Sequence, residues 1–235
     1  PVSNKDRVLG FKYFISLMVI VPILFLLMMQ PDIGQTLLIF LSWLTLVFIS
    51  GISLTIFLTV FTVSIFILFY LIFFVDKFGY IKNRVFSFFD PNTGTHNFQS
   101  EKAIEAISSG GFFGKGIGEG TLKNRVPEAH TDYIVSVISE EFGIVFIILL
   151  LFIFLFLIYT VFKRIYLEKD EKVKLILTGL ITLIISQALI HLGVNIRLFP
   201  TTGMTLPYLS YGGSSIIGMS ILSGIILNLT KRKVV

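Results

Sequence analysis

Cysteine is missing from all 235 residues of this chain. Its absence excludes a disulfide framework, a thiol nucleophile and cysteine-ligated zinc. Charge is scarce too: Asp, Glu, Lys and Arg make up 14% of the chain, against about 25% in a soluble globular domain. Histidine occurs three times, at His96, His130 and His191, and their spacing fits no metal-ligand pattern. Between Thr36 and Val75 no charged residue appears at all. Apolar residues fill the space, at 54% of the chain with 25 Phe and a mean hydropathy of +0.89. This composition defines an all-α, polytopic transmembrane helical bundle. The net charge of +5 does not point to nucleic acid, because the basic residues sit in loops beside apolar helices.

Six spans are expected, at about 11–29, 36–50, 52–75, 142–162, 175–193 and 212–230. The uncharged run from Thr36 to Val75 would be about 60 Å long as one helix, twice the hydrocarbon core of about 30 Å. It must therefore fold back, and Ser50-Gly51 is the turn. Asp32, after Pro31, reads as a turn residue with a structural role. In the last span, Ser214-x3-Gly218 and Ser220-x3-Gly224 read as small-residue pairs for close helix packing.

The chain is read as one membrane domain over 1–235, with a long extracytoplasmic loop over 76–132. Within that loop Gln99–Ser109 reads as a short amphipathic helix at the membrane interface. Lys5, Arg7 and Lys12, then Lys163, Arg164, Lys169, Lys172 and Lys174, then Lys231, Arg232 and Lys233, fall on one side of a six-span bundle. By the positive-inside rule that side, with the C-terminus, is cytoplasmic. The chain starts at Pro1 with no signal peptide and reads as a segment of a longer protein.

Chemistry concentrates in the outward loops. Pro127-Glu128-Ala129-His130-Thr131-Asp132-Tyr133 sets ionisable groups just ahead of a long apolar helix. An ionisable cluster at a membrane boundary is costly, and its default reading is functional. A helix starting near Asp132 would align Asp132, Ser136 and Glu140 on one face. A Gly-rich run follows Ser109, from Gly110 to Gly120. It is not a phosphate loop, because Gly114-Lys115 is followed by Gly116 rather than Ser or Thr. It reads as backbone brought close to a large ligand, with Lys115 and Lys123 offered to phosphate. The second outward mark runs from Arg197 to Ser215. Two prolines and three glycines there imply irregular backbone, tolerated at membrane depth only when buried or lining a cavity.

Five stretches together resemble the SEDS (shape, elongation, division and sporulation) family over essentially the whole chain. They are QPDIGQ (30–35), NRVFSFFDP (83–91), SGGFFGKGIGEG (109–120), PEAHTDYIVSVISEEFG (127–143) and PTTGMTLPYLSYGGSS (200–215). The form of the Gly-rich stretch is most similar to the division members. The resemblance implies a ten-span peptidoglycan glycosyltransferase of the bacterial inner membrane, of which this chain holds the last six spans. It implies that lipid II, an undecaprenyl-pyrophosphate disaccharide-peptide, is polymerised. It also implies partnership with a class B penicillin-binding protein and other division membrane proteins. His191 and Tyr208 stand where Asn and an aliphatic residue are usual, and neither is expected to touch the base.

The family's essential Asp falls on Asp132, the candidate general base. His130, Glu140, Lys115, Lys123, Arg125, Arg197, Ser210, Gly212 and Gly213 are the candidate substrate-binding residues. The four cations are the candidates for the leaving pyrophosphate. No metal site is demanded, although a divalent cation (Mg or Mn) on Glu140 or Asp132 could share that charge. The rival readings are a lipid II flippase, an elongation-type polymerase and a scaffold for a transpeptidase. The charges collect at the outward boundary and no repeat is visible, which favours surface chemistry over passage.

Overall fold

The structure is a computed structural model that describes residues 4–89, 95–121 and 126–231. Among these, Lys123, Arg125 and the Asp90–Gly94 turn do not appear, so those expectations lie outside the described residues. The described elements are helical: α1 (Asn4–Met29), α2 (Ile33–Ile49), α3 (Leu54–Phe74), a 3₁₀ turn (Asp76–Phe78), α4 (Gly79–Phe89), α5 (Thr95–Gly110), α6 (Ile134–Leu167), α7 (Glu171–Asn195) and α8 (Gly213–Thr230). Each expected span has its helix. Four helices, α3, α6, α7 and α8, are long and apolar enough to cross a membrane, and the apolar parts of α1 and α2 are shorter.

Contacts divide the chain into two compact units, Pro1–Ile81 and Lys82–Val235. In the first, α1 packs on α2 and α2 on α3. Asp32 caps α2 by accepting the Gln35 N–H at 2.9 Å, the structural role expected of it. The turn at Ser50-Gly51 forms as expected, with Gly51 left-handed at φ +86°. Met28, Phe78 and Ile81 close a small core. α3 buries none of its residues within the chain, as suits a helix whose surroundings are hydrocarbon.

The second unit is held by α5 on α6, α6 on α7 and α7 on α8. Val161, Leu177, Ile181, Ile184, Met219 and Ile226 interlock between α6, α7 and α8. The helix at Gln99–Ser109 is present and longer than expected, and it buries Ala103 and Ala106 completely. α4 has no counterpart in the sequence reading, which places the one helix of 76–132 at Gln99–Ser109. A Cβ at Gly218 or Gly224 meets nothing within 4 Å, so among the described residues no helix approaches these two α8 glycines.

α6 is broken. Gly143 has φ +76° and ψ −179°, separating Ile134–Phe142 from the long apolar run behind it. A break at this depth strands backbone donors and acceptors, each costing several kcal/mol in hydrocarbon. The Gly-rich loop supplies the partners. Lys115 N donates to Glu140 O at 2.9 Å and Gly116 N to Glu141 O at 3.0 Å. Across the break, Ile144 N donates to Gly111 O at 3.0 Å and Val145 N to Phe112 O at 3.3 Å. This approach leaves no room for side chains: a Cβ on Gly114 would strike the Glu141 carbonyl, and one on Gly143 the Phe112 carbonyl. The glycines therefore serve helix-to-loop backbone contact.

Gly114→Ala is expected to lower stability by more than about 2 kcal/mol, in the range of overpacking and strained left-handed backbone. Gly218→Ala is expected to be neutral. Melting of the two variants in detergent checks the contrast, and equal melting temperatures would contradict this account of the loop.

Candidate active site

Asp132 lies in the turn two residues before α6, so the stripe with Ser136 and Glu140 does not form as the sequence pattern suggested. Instead the turn is pinned carbonyl by carbonyl. Tyr211 N donates to His130 O at 2.9 Å. Ser210 Oγ donates to Thr131 O at 2.7 Å, and His191 Nε2 lies 3.4 Å from the same oxygen. Asn195 Nδ2 donates to Asp132 O at 2.9 Å. From the other side, the N–H groups of Thr131, Asp132 and Tyr133 all point at Glu128 O, and Glu128 is left-handed at φ +54°. Such strain in a non-Gly residue persists only where neighbours impose it, and it collects at functional sites.

Two α7 residues thus hold the Asp132 turn. Asn195 Nδ2 also donates to His191 O at 2.9 Å, within α7 itself, and lies 3.3 Å from His191 Nδ1. No printed bond joins His191 to Asp132 itself, as expected, but it reaches the carbonyl immediately before that residue.

The Asp132 carboxylate lies against the segment after α7. A Cβ at Gly203 would stand 3.9 Å from Asp132 Oδ2, and Gly203 itself takes φ +73°, so the base faces a hydrogen rather than a side chain. Its pKa is pushed up to about 6 by burial and, next, by the charge of Glu128, against the opposing pull of Arg84 and of the Thr131 hydroxyl. Burial, then the neighbouring Asp132, also raises the Tyr133 hydroxyl. Tyr133 Oη, Asn195 Oδ1 and Thr202 Oγ1 are buried without a hydrogen-bond partner among the described residues. Buried polar atoms are rarely left so, at about 1–3 kcal/mol each, and here they sit on the segments that hold Asp132.

The other expected site residues divide sharply. His130 is exposed and bonded through its backbone. Ser210 is buried between Thr131 O and Leu206 N, and Gly212 and Gly213 form the cap and first residue of α8. Glu140 is fully buried and turned into the Gly-rich loop, where it accepts from Lys115 Nζ and Thr121 N, both at 3.0 Å. Arg197, left-handed at φ +57°, lies 3.6 Å from Glu101. Arg84, Glu128, Asn195 and Gly203 had no assigned role in the sequence reading. Arg84 stands in the NRVFSFFDP stretch, and only the unforeseen α4 brings it to the site.

A divalent cation needs converging oxygen ligands. Glu140, with Asp132 one of the two expected ligands, is paired with Lys115, and no three acidic or histidine side chains gather among the described residues.

Fold and site together define a polytopic helical membrane protein with a pre-set carboxylate at the mouth of its bundle. Comparison with known proteins makes the assignment specific. The profile of the cell cycle protein family FtsW/RodA/SpoVE matches residues 4–234, and the chain belongs to that family. It is 37% identical over 209 residues to FtsW of Caulobacter vibrioides, named a probable peptidoglycan glycosyltransferase, covering 88% of this chain and 52% of that protein. The like-named protein of Buchnera aphidicola is 34% identical over 235 residues, covering 93% of this chain and 59% of that one. The chain thus spans little more than half the length of these relatives.

Among solved structures, a peptidoglycan synthase complex described as coordinating polymerization and crosslinking matches with a TM-score of 0.72. The identity there is 25%, over 97% of this chain and 62% of that one. An Asp-to-Ala variant of the rod shape determining protein RodA of Thermus thermophilus matches with a TM-score of 0.61. That identity is 26%, over 98% of this chain and 58% of that one.

Asp132→Asn tests the electrostatics without any assay of activity. The native carboxyl binds its proton more tightly than the unfolded one, so ionising it costs stability as pH rises from 3.8 through about 6. The Asn variant is expected to melt at or above the wild-type temperature at pH 8, with the difference shrinking toward pH 4. A variant less stable at pH 8 than at pH 4, relative to wild type, would contradict the raised pKa.

Proposed function

We propose that this protein is a peptidoglycan glycosyltransferase of bacterial cell division that polymerises lipid II, with Asp132 as general base. The observation that carries the reading is the Asp132 carboxylate, half-buried, immobilised through the backbone carbonyls around it and poised to titrate at about 6. The names of the relatives supply the reaction class.

In the transfer, the 4-hydroxyl oxygen of one disaccharide unit forms a bond to the anomeric carbon of another. The bond from that carbon to the lipid diphosphate breaks, and its electron pair leaves on the phosphate oxygen. The hydroxyl proton passes to Asp132. A sugar hydroxyl is a weak nucleophile at neutral pH, and a positioned base contributes about 10²–10⁴-fold. An ordinary exposed Asp is a feeble base. Burial beside Glu128 raises the proton affinity of Asp132 while leaving it ionised at pH 7. The carbonyl clamps fix the turn, so this carboxylate needs no reorganisation when substrate arrives.

The site faces outward from the bacterial cytoplasmic membrane and the C-terminus is cytoplasmic, in line with the basic loops. A class B penicillin-binding protein is the partner, a reading supported by the likeness to a complex that joins polymerization and crosslinking.

Labelled lipid II, supplied to the full-length protein with its transpeptidase, is expected to yield glycan ladders whose rate falls as pH drops through about 6. Asp132→Asn should lower the rate by about 10² or more. Near-full polymerisation by that variant would sink the assignment of the base.

A further inference from the structure

Glycosyl transfer from a lipid diphosphate needs a cation where the diphosphate leaves. Two cations the sequence offered are occupied: Lys115 Nζ lies 3.0 Å from the buried Glu140, and Arg197 Nη1 lies 3.6 Å from Glu101. Arg84 is placed differently. α4 carries its half-buried guanidinium to the segment after α7, where Nη1 donates to Thr201 O at 3.3 Å. It forms no salt bridge among the described residues.

The position beside Thr201 matters because of what lies two residues on. Gly203 is the residue whose missing Cβ would stand 3.9 Å from Asp132 Oδ2. Arg84 and Asp132 therefore meet the same short segment, 201–203, from two elements distant in sequence. Within that segment Thr202 Oγ1 is buried without a hydrogen-bond partner among the described residues.

Resting on the glycosyltransferase reading, we propose that Arg84 binds the diphosphate of the lipid-linked donor beside the base. A guanidinium has five N–H donors in a planar fork, and one of them is used at Thr201. The rest match phosphate oxygens, in bidentate geometry that Lys does not reproduce. As the bond from the anomeric carbon to the phosphate oxygen breaks, negative charge grows on the leaving diphosphate. A cation fixed in a poorly solvated site stabilises that charge without rearranging. Arg84 is not simply the counter-ion of Asp132. A counter-ion in contact would hold the carboxyl low and spoil it as a base, whereas Asp132 stays raised to about 6 with Arg84 nearby. Separation of the two lets each act on its own part of the substrate.

The test uses the full-length protein with its transpeptidase, and reads binding apart from turnover. Calorimetry with farnesyl diphosphate measures the anion site, and labelled lipid II measures polymerisation. Arg84→Gln is expected to weaken farnesyl diphosphate by about tenfold or more and to slow polymerisation. Asp132→Asn should bind that probe at least as tightly as wild type. Arg84→Gln that loses polymerisation yet binds the probe normally would overturn the proposal and make Arg84 a buttress of the 201–203 segment. Normal polymerisation by Arg84→Gln overturns it as well. Should that variant fail to melt cooperatively, Arg84→Lys decides, since wild-type binding and rate there would exclude a guanidinium-specific site. Wild-type protein that binds the probe through Arg84 and makes no glycan would sink the glycosyltransferase reading and leave the anion site standing.

Discussion

A backbone that enters hydrocarbon must satisfy its own hydrogen bonds, and the second unit of this protein is organised around one place where a helix does not. α6 breaks at Gly143, and the Gly-rich loop closes the gap with four backbone hydrogen bonds. Glu140, fully buried one turn before the break, is neutralised by Lys115 from the same loop. A buried carboxylate that lost its cation would be strongly destabilising, and a helix break that lost its partners equally so. Loop and helix therefore hold as one piece, and the residues leading into α6 start from a fixed frame.

That frame makes a precisely placed base possible on what would otherwise be a loop. The Asp132 turn is gripped through main-chain carbonyls by Ser210, Tyr211, His191 and Asn195. These grips fall on the backbone rather than on the carboxylate, whose proton affinity is set by burial and Glu128 against Arg84 and the Thr131 hydroxyl. The cost is visible in the left-handed Glu128 and in polar atoms buried around the site without partners among the described residues.

Much of the fold was legible in the sequence. The spans, the reversal at Ser50-Gly51, the cap at Asp32 and the helix after Gln99 follow from apolar runs, charge gaps and local turn chemistry. α4 was missed because Gly79–Phe89 mixes Lys82, Asn83 and Arg84 with phenylalanines inside a stretch read as loop. The glycines from 110 to 120 read in sequence as an approach to a ligand, with no sign that Gly110 and Gly114 lie directly against the α6 backbone. Lys115 and Glu140 were both offered to substrate, and they are paired with each other.

The sequence alone determined that this is a helical membrane protein of the FtsW/RodA/SpoVE family and that Asp132 is its candidate base. Those conclusions rest on composition and on motifs contiguous along the chain. Only the tertiary structure decided which groups surround that base. Arg84 and the segment 201–203 are more than a hundred residues apart, and α7 reaches the Asp132 turn from about sixty residues further on, as the Arg84–Thr201 and Asn195–Asp132 bonds record. Periodicity reports the local environment of a segment. It carries no signal for side chains that meet because helices far apart in sequence end at the same mouth of a bundle.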